Sequence, residues 1–156
     1  VADTGDLPIG EFTAQPVLTA RQHIVVRAGH PVLADPSPQA LAALEWLLTG
    51  PRDGLVSSRL RAMFARAGVT PPERVLVCDT LAALSLLRNS DVGGIVPAPL
   101  LTEPEGRGLV ALDLPGLDPG ELRLVLLTRP DVPLTPAGAF FARCLVESSQ
   151  SAQPPA

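Results

Sequence analysis

Short apolar runs recur along the chain, separated by longer stretches in which apolar residues return every three or four positions. The short runs are rich in Val, Leu and Ile and are bounded by Gly or Pro, which predicts buried β-strands. The predicted strands span residues 22–27, 46–48, 74–78, 93–97, 108–114 and 122–129, and residues 7–10 are expected to end a further strand.

Helical spacing is clearest over residues 56–67, where one stripe carries Val56, Leu60, Met63, Phe64 and Ala67. Gly68 is expected to end this helix in the left-handed conformation that glycine adopts easily. Two shorter helices are predicted, one after Ser37 or Pro38 and one over residues 80–88, which Asp79 or Thr80 would cap.

A last helix is predicted from Thr135, as the N-cap, and Pro136, in the first turn. Its apolar face is expected to consist of Ala139, Phe140, Cys144 and Leu145. The chain becomes polar and proline-rich after this helix, so residues 148–156 are expected to be disordered.

Strands and helices alternate between residues 46 and 96, and this order predicts parallel strands joined by right-handed crossovers. Ligands bind to such sheets beyond the carboxyl ends of the strands. Two strand-to-helix junctions therefore become candidate binding loops: residues 49–54 and residues 79–80.

Composition argues against a membrane protein, a DNA-binding domain and a secreted protein. Hydrophobic residues make up 46% of the 156, and the mean hydropathy of +0.28 suits a sheet covered on both faces. No apolar run approaches the roughly 20 residues that cross a bilayer, so no membrane association is expected. The net charge is −4, and the 12 basic residues, all Arg, are scattered, which disfavours DNA binding by this segment alone. Two cysteines and no signal-peptide pattern indicate a reducing, cytoplasmic location.

Six segments then match one family in order and spacing: IVVRAGHP (24–31), WLLTGP (46–51), LRAMFARAGV (60–69), DTLAAL (79–84), GIVP (94–97) and LTPAGAFF (134–141). Together they resemble the effector-binding domain of LysR-type transcriptional regulators over residues 6–147. One departure is the stretch Ser90-Asp91-Val92, where the family usually has a Gly-x-Gly turn.

The resemblance implies an α/β fold of the periplasmic-binding-protein type, with one largely complete Rossmann-like subdomain and part of a second. Residues 1–31 would end the first subdomain and supply a crossing strand, residues 32–120 would form the second, and residues 121–147 would return to the first. Because the early part of the first subdomain has no counterpart, its last helix is expected to expose an apolar face and to promote self-association.

The resemblance also implies a function. A small-molecule effector would bind in a cleft between the subdomains and control DNA binding and transcription. DNA would be bound only by a winged helix-turn-helix domain preceding this segment, and the regulator would be a homodimer or homotetramer. The effector-binding candidates are Thr49, Gly50, Pro51, Arg52, Asp53, Asp79 and Thr80.

The chemistry at residues 49–53 favours an anion such as a small organic acid, or another polar metabolite. A helix N-terminus offers free N–H groups and partial positive charge, Thr49 adds a hydroxyl, and Arg52 adds a bidentate donor. The alternative is an ordinary turn in which Asp53 is the N-cap and Arg52 is solvated.

Asp79 and Thr80 also have two possible roles, because they either cap the following helix or contact the effector. Thr80 is the favoured contact, since a carboxylate repels an anionic ligand. If Asp79 instead faces the cleft, a cationic or neutral polar effector becomes more plausible.

Other residue patterns do not indicate catalysis, a metal or a cofactor. His23 and His30 lack metal-ligand spacing, and Ser57 lies in no nucleophile elbow. Cys78 is expected to be a small buried hydrophobe, with redox sensing as its alternative. The segment is therefore predicted not to be an enzyme; a transporter's solute-binding protein and a small α/β enzyme are the competing hypotheses.

Overall fold

The computed structural model describes residues 2–3, 12–51 and 53–151. Contacts divide the chain into two compact units: unit 1 (Val1–Arg21 with Glu121–Ala156) and unit 2 (Gln22–Gly120). The strands are β1 (Ala2–Asp3), β2 (Thr13–Arg27), β3 (Glu45–Thr49), β4 (Val75–Cys78), β5 (Val92–Pro97), β6 (Leu109–Leu112) and β7 (Glu121–Thr128). The α-helices are α1 (Pro38–Ala42), α2 (Leu55–Arg66), α3 (Thr80–Asn89), α4 (Ala98–Thr102) and α5 (Pro136–Ser151).

The sheet of unit 2 is mixed. β3 runs parallel to β4 on one side and to β5 on the other, as the strand–helix–strand order predicted. The second half of β2 is antiparallel to both β5 and β6 and lies between them. The mixed α/β architecture predicted from sequence is thus confirmed.

Side chains alternate along each strand, and the central strands β2, β3 and β5 have buried residues on both faces of the sheet. The edge strand β4 is less covered, since Leu76 is 42% and Val77 44% exposed. On one face, Ile24, Trp46 and Leu48 pack with Phe64 of α2 in the larger buried cluster. On the other face, a second cluster contains Val25, Leu47, Leu87, Val92 and Val96. The two-sided burial explains why these strands appear as continuous apolar runs in the sequence.

Helix α2 forms where the helical spacing predicted it. Leu60, Met63 and Phe64 are buried, and Ala67 is the C-cap. Gly68 follows with φ of +72°, the left-handed conformation expected of a glycine beyond a helix end.

In unit 1, the first half of β2 pairs antiparallel with β7, which also pairs with β1. The predicted strand over residues 22–27 is therefore too short, since β2 begins at Thr13. This extension was not predicted because it contains Pro16, and proline has no N–H group to donate to the strand ladder. The register shifts between Pro16 and Leu18. Residues 7–10, predicted to end a strand, lie outside the described residues.

Helix α5 begins as predicted, with Thr135 Oγ1 accepting a hydrogen bond from the Gly138 amide at 3.2 Å. The helix continues to Ser151, so the predicted disorder is wrong for residues 148–151, and residues 152–156 are outside the described part. Of the four residues predicted to form its apolar face, Phe140 is 62% exposed, and Ala139, Cys144 and Leu145 are half-buried. None of the helices described has the length and apolar character needed to cross a membrane.

Candidate functional site

The two predicted binding loops lie at one edge of the unit 2 sheet. In the parallel pairing of β3 with β4, Thr49 is the register partner of Cys78. Gly50 and Asp79 directly follow these partners, so strands β3 and β4 end at the same edge of the sheet. All four residues are at least partly accessible. We call this end of the sheet the carboxyl edge.

The loop between β3 and α2 is open and lacks a side-chain cap. Gly50 has φ of +119°, and a Cβ atom built on it would meet nothing within 4 Å. The N-cap of α2 is Gly54, which has no side chain to accept a hydrogen bond. The alternative in which Asp53 caps α2 is therefore wrong. Arg52 lies outside the described residues.

The loop between β4 and α3 is capped. Asp79 is the N-cap of α3, and its Oδ1 accepts a hydrogen bond from the Ala82 amide at 2.9 Å. Thr80 is the first residue of the helix and is exposed. Of the two roles considered for Asp79, helix capping is the one observed.

The two helix ends consequently differ in electrostatic character. The carboxylate of Asp79 offsets the positive end of the α3 dipole, whereas the N-cap of α2, Gly54, makes no side-chain capping hydrogen bond. The first N–H groups of α2 have no intrahelical acceptors, as at any helix start. The helix start of α2 therefore leaves its first N–H groups open to an external acceptor, and the exposed carboxylate of Asp53 lies next to them.

Two further strands reach the carboxyl edge. β5 is parallel to β3 and ends at Pro97, and the antiparallel register places Gln22 opposite Pro97 and His23 opposite Val96. Gln22 and His23 are half-buried polar residues. Sequence reasoning did not place them here, because an antiparallel neighbour reverses which end of the strand meets the edge.

An open depression of about 600 Å³ lies at the opposite end of the sheet. Leu44, Val69 and Pro71 provide apolar lining, and Glu73 and Arg74 are charged. Arg74 already donates a hydrogen bond to the Ala43 carbonyl at 3.0 Å. The depression lies at the amino ends of β3 and β4, away from the strand ends at which ligands bind to parallel sheets.

His30 is a structural residue. It is 3% exposed, and its Nδ1 accepts a hydrogen bond from the Val32 amide at 3.0 Å at the start of a 3₁₀ turn. Its Nε2 is buried with no partner in the described part of the chain. Within residues 2–3, 12–51 and 53–151, no group of three or more His, Cys, Asp or Glu side chains has metal-site geometry.

Residues 90–92, which replace the family's usual Gly-x-Gly turn, form a connection that requires no glycine. Ser90 ends α3 with an extended backbone, φ of −143°, and needs no glycine. Asp91 then forms an ion pair with Arg27, whose Nη2 is 2.7 Å from Asp91 Oδ1.

A family model described as the LysR substrate binding domain matches residues 3–150. The chain belongs to this family. The family inferred from the six ordered segments is therefore confirmed. No curated protein sequence is significantly similar to this LysR substrate-binding domain.

Solved structures resemble the chain at low sequence identity. The effector-binding domain of QuiR, in complex with shikimate, has a TM-score of 0.65 and 14% identity over 94% of this chain and 68% of its own. The CcmR regulatory domain of Synechocystis PCC6803, in complex with 2-PG, has a TM-score of 0.64 and 18% identity over 90% and 68%. CbnR, a LysR family transcriptional regulator, has a TM-score of 0.57 and 21% identity, and the match covers 92% of this chain and 49% of CbnR.

These similarities establish the fold, which is that of LysR substrate-binding domains and is periplasmic-binding-protein-like. The family and its structural neighbours are effector-binding domains of LysR-type transcriptional regulators. This LysR substrate-binding domain spans about two thirds of the QuiR and CcmR domains and about half of CbnR.

Proposed function

We propose that this LysR substrate-binding domain senses a small polar molecule, most favourably an anion, at the carboxyl edge of the unit 2 sheet. The proposed contacts are Thr49, Gly50, Pro51, Arg52, Asp53, Asp79 and Thr80. The parallel register of Thr49 with Cys78 is the main support, because it brings two strand-to-helix junctions side by side.

The ligand class follows from the helix starts. A carboxylate or phosphate accepts hydrogen bonds from the free N–H groups at the start of α2, where Gly54 leaves them uncapped. Thr49 and Thr80 are exposed and offer hydroxyl donors to either side of the same ligand. Asp79 is engaged with the Ala82 amide, which reduces its repulsion of an anion.

We further propose that this binding acts in regulation and not in catalysis. In the intact regulator, DNA would be bound by a separate domain, and the effector would shift the protein between two states for which its affinities differ. The family assignment supports this view. Two unpaired cysteines, Cys78 and Cys144, support a location in the reducing cytoplasm.

The direct test is a ligand screen on the 156-residue chain. Small carboxylates, phosphate esters, shikimate, 2-PG, aromatic acids and amino acids are each added in a thermal-shift assay, and hits are measured by calorimetry. A ligand at 100 times its Kd stabilises the folded state by about 2.7 kcal/mol, so a hit raises the melting temperature by several degrees. Binding only of cations, or binding of anions that does not respond to changes at the carboxyl edge, contradicts the proposal.

Two further observations separate the competing hypotheses. Chemical turnover of any compound would favour a small α/β enzyme, and nuclear magnetic resonance of the recovered ligand detects it. A secretory signal encoded upstream in the gene would favour a transporter's solute-binding protein, whereas a winged helix-turn-helix there agrees with the regulator.

A further inference from the structure

The ends of two helices line the depression at the amino ends of β3 and β4. Helix α1 ends at Ala42 and α2 at Arg66, and residues just beyond each end belong to the lining. We call this feature the amino-edge depression; its lining residues are 39, 42–44, 68–71, 73 and 74, all in unit 2. Its volume of about 600 Å³ falls within the range of roughly 300–1,000 Å³ that is typical of small-molecule sites.

Two charged side chains of opposite sign line the amino-edge depression. Glu73 and Arg74 are consecutive and exposed, and they lie in the segment that enters β4. Glu73 forms no ion pair within residues 2–3, 12–51 and 53–151. A ligand with a single charge would be repelled by one of these two side chains, whereas a ligand that carries both charges can pair with each.

The guanidinium of Arg74 is held in place by the chain itself. Its Nη2 donates a hydrogen bond at 3.0 Å to the carbonyl of Ala43, the C-cap of α1. A guanidinium has five N–H donors in a planar fork, so one such bond orients the side chain and leaves other donors for a carboxylate. A donor that is already oriented loses less conformational entropy when a ligand binds.

The end of α2 adds negative potential to the depression. The last carbonyls of an α-helix lack intrahelical donors and carry a partial negative charge. Gly68, which follows the C-cap of this 12-residue helix, is part of the lining. Together with the carboxylate of Glu73, the end of α2 favours a cationic group on the ligand.

The remaining lining includes apolar surface. Leu44, Val69 and Pro71 are half-buried, so each still presents part of its side chain to water. Covering such surface with an aliphatic or aromatic group is favourable, in proportion to the apolar area removed from water. The ligand is therefore expected to combine a carboxylate, an ammonium and an apolar group.

We propose that the amino-edge depression is a second ligand site, which binds an α-amino acid with an apolar side chain. The carboxylate of the amino acid pairs with Arg74 and its ammonium with Glu73, while its side chain packs on Leu44, Val69 and Pro71. The proposal does not depend on the effector site, because the carboxyl edge lies at the other end of the strands.

A nuclear magnetic resonance titration of the isotope-labelled 156-residue chain with L-leucine tests the proposal. Affinity in roughly the millimolar range is expected for so small a ligand in an open site. The amide signals of Gly68 and Val69 should shift, whereas those of Gly50 and Thr80 should not. Leucinamide lacks the carboxylate and N-acetylleucine lacks the ammonium, so each should bind about fivefold more weakly or worse.

Two variants assign the two charges. Glu73→Gln and Arg74→Gln should each raise the Kd of leucine by about fivefold. Glu73→Gln should leave the weak binding of N-acetylleucine unchanged, and Arg74→Gln that of leucinamide, a selectivity that general damage to the fold does not produce. Arg74→Gln also removes the bond to the Ala43 carbonyl, so if it unfolds, Glu73→Gln and the two leucine derivatives still decide the outcome.

The matched controls are Glu103→Gln and Arg107→Gln, which make the same changes at exposed residues outside the depression. Both should bind leucine like the original chain. Three results would each overturn the proposal: no shift at Gly68 and Val69 up to the solubility limit of leucine, equal binding of leucine and its two derivatives, or an unchanged leucine Kd in Glu73→Gln. Shifts confined to Gly50 and Thr80 would place the amino acid at the carboxyl edge and would also overturn it.

Discussion

The indole of Trp46 meets the ring of Phe64 edge-on, with the ring centroids 5.4 Å apart and the planes at 85°. The same indole donates a hydrogen bond from Nε1 to the Leu41 carbonyl at 2.9 Å. Gly93 lies beneath the ring, where an added Cβ would approach it to 3.2 Å. Trp46 therefore links α1, α2 and two strands of the sheet.

Removing either ring should destabilise the domain strongly. Phe64→Ala is expected to lower the free energy of unfolding by about 3–5 kcal/mol, because it leaves a cavity at a fully buried position. Trp46→Phe keeps an aromatic ring but leaves the Leu41 carbonyl unpaired, at a cost of about 1–3 kcal/mol for that group. Urea unfolding measures both, with the exposed Leu81→Ala as a control expected within about 0.5 kcal/mol of the original.

The capping bond of Asp79 should be separable from its charge. Asp79→Ala removes the acceptor for the Ala82 amide and should cost about 1 kcal/mol of stability. Asp79→Asn retains a side-chain oxygen at the N-cap, so most of that stability should return. If the Asn variant were as unstable as the Ala variant, the carboxylate charge would be the important property and the capping bond would not.

Gly106 should not tolerate a side chain. An added Cβ would lie 2.3 Å from the Leu100 carbonyl oxygen and 2.6 Å from the Leu101 Cα, both backbone atoms that cannot rotate away. Gly106→Ala is therefore expected to lose about 2–3 kcal/mol or more. The control is Gly68→Ala, where the space is open and only the positive φ of +72° opposes the change. Similar losses in the two variants, measured by thermal unfolding, would show that contact with α4 does not matter.

The hydroxyls at the carboxyl edge should contribute to ligand affinity. For the best ligand of the screen, Thr49→Val and Thr80→Val should each weaken binding by about 1–2 kcal/mol, through loss of one hydrogen bond. Thr70→Val makes the same change at an exposed residue of the opposite end and should leave the affinity unchanged. Calorimetry that gives equal affinity in all three variants would remove the site assignment.

Periodicity in the sequence was sufficient for the elements of unit 2. Alternation of apolar runs with a helical stripe predicted β3, α2, β4, α3 and β5 in their observed order, because the apolar runs of the strands and the stripe of α2 are distinct patterns in the sequence. The parallel arrangement followed from the crossovers. That parallel arrangement places Thr49 and Thr80 at the same edge of the sheet.

Unit 1 was predicted unevenly, for a physical reason. β7 and the start of α5 were predicted to within one residue, whereas the first half of β2 was missed because Pro16 interrupts the strand ladder. An apolar face in a sequence reveals that a residue can be buried, but not by which neighbour. Asp53, the N-cap in the alternative interpretation of this loop, has the better capping side chain, but α2 begins one residue later, at Gly54.

Cys78 is the register partner of Thr49, so the chain carries a natural attachment point for a fluorescent dye beside the candidate site. Cys78 is an unpaired, half-buried thiol on the strand beside the proposed contacts. After Cys144→Ser, an environment-sensitive dye attached to Cys78 would convert occupancy of the neighbouring loop into a change in fluorescence. Titrations could then follow the site itself, independently of the global melting transition.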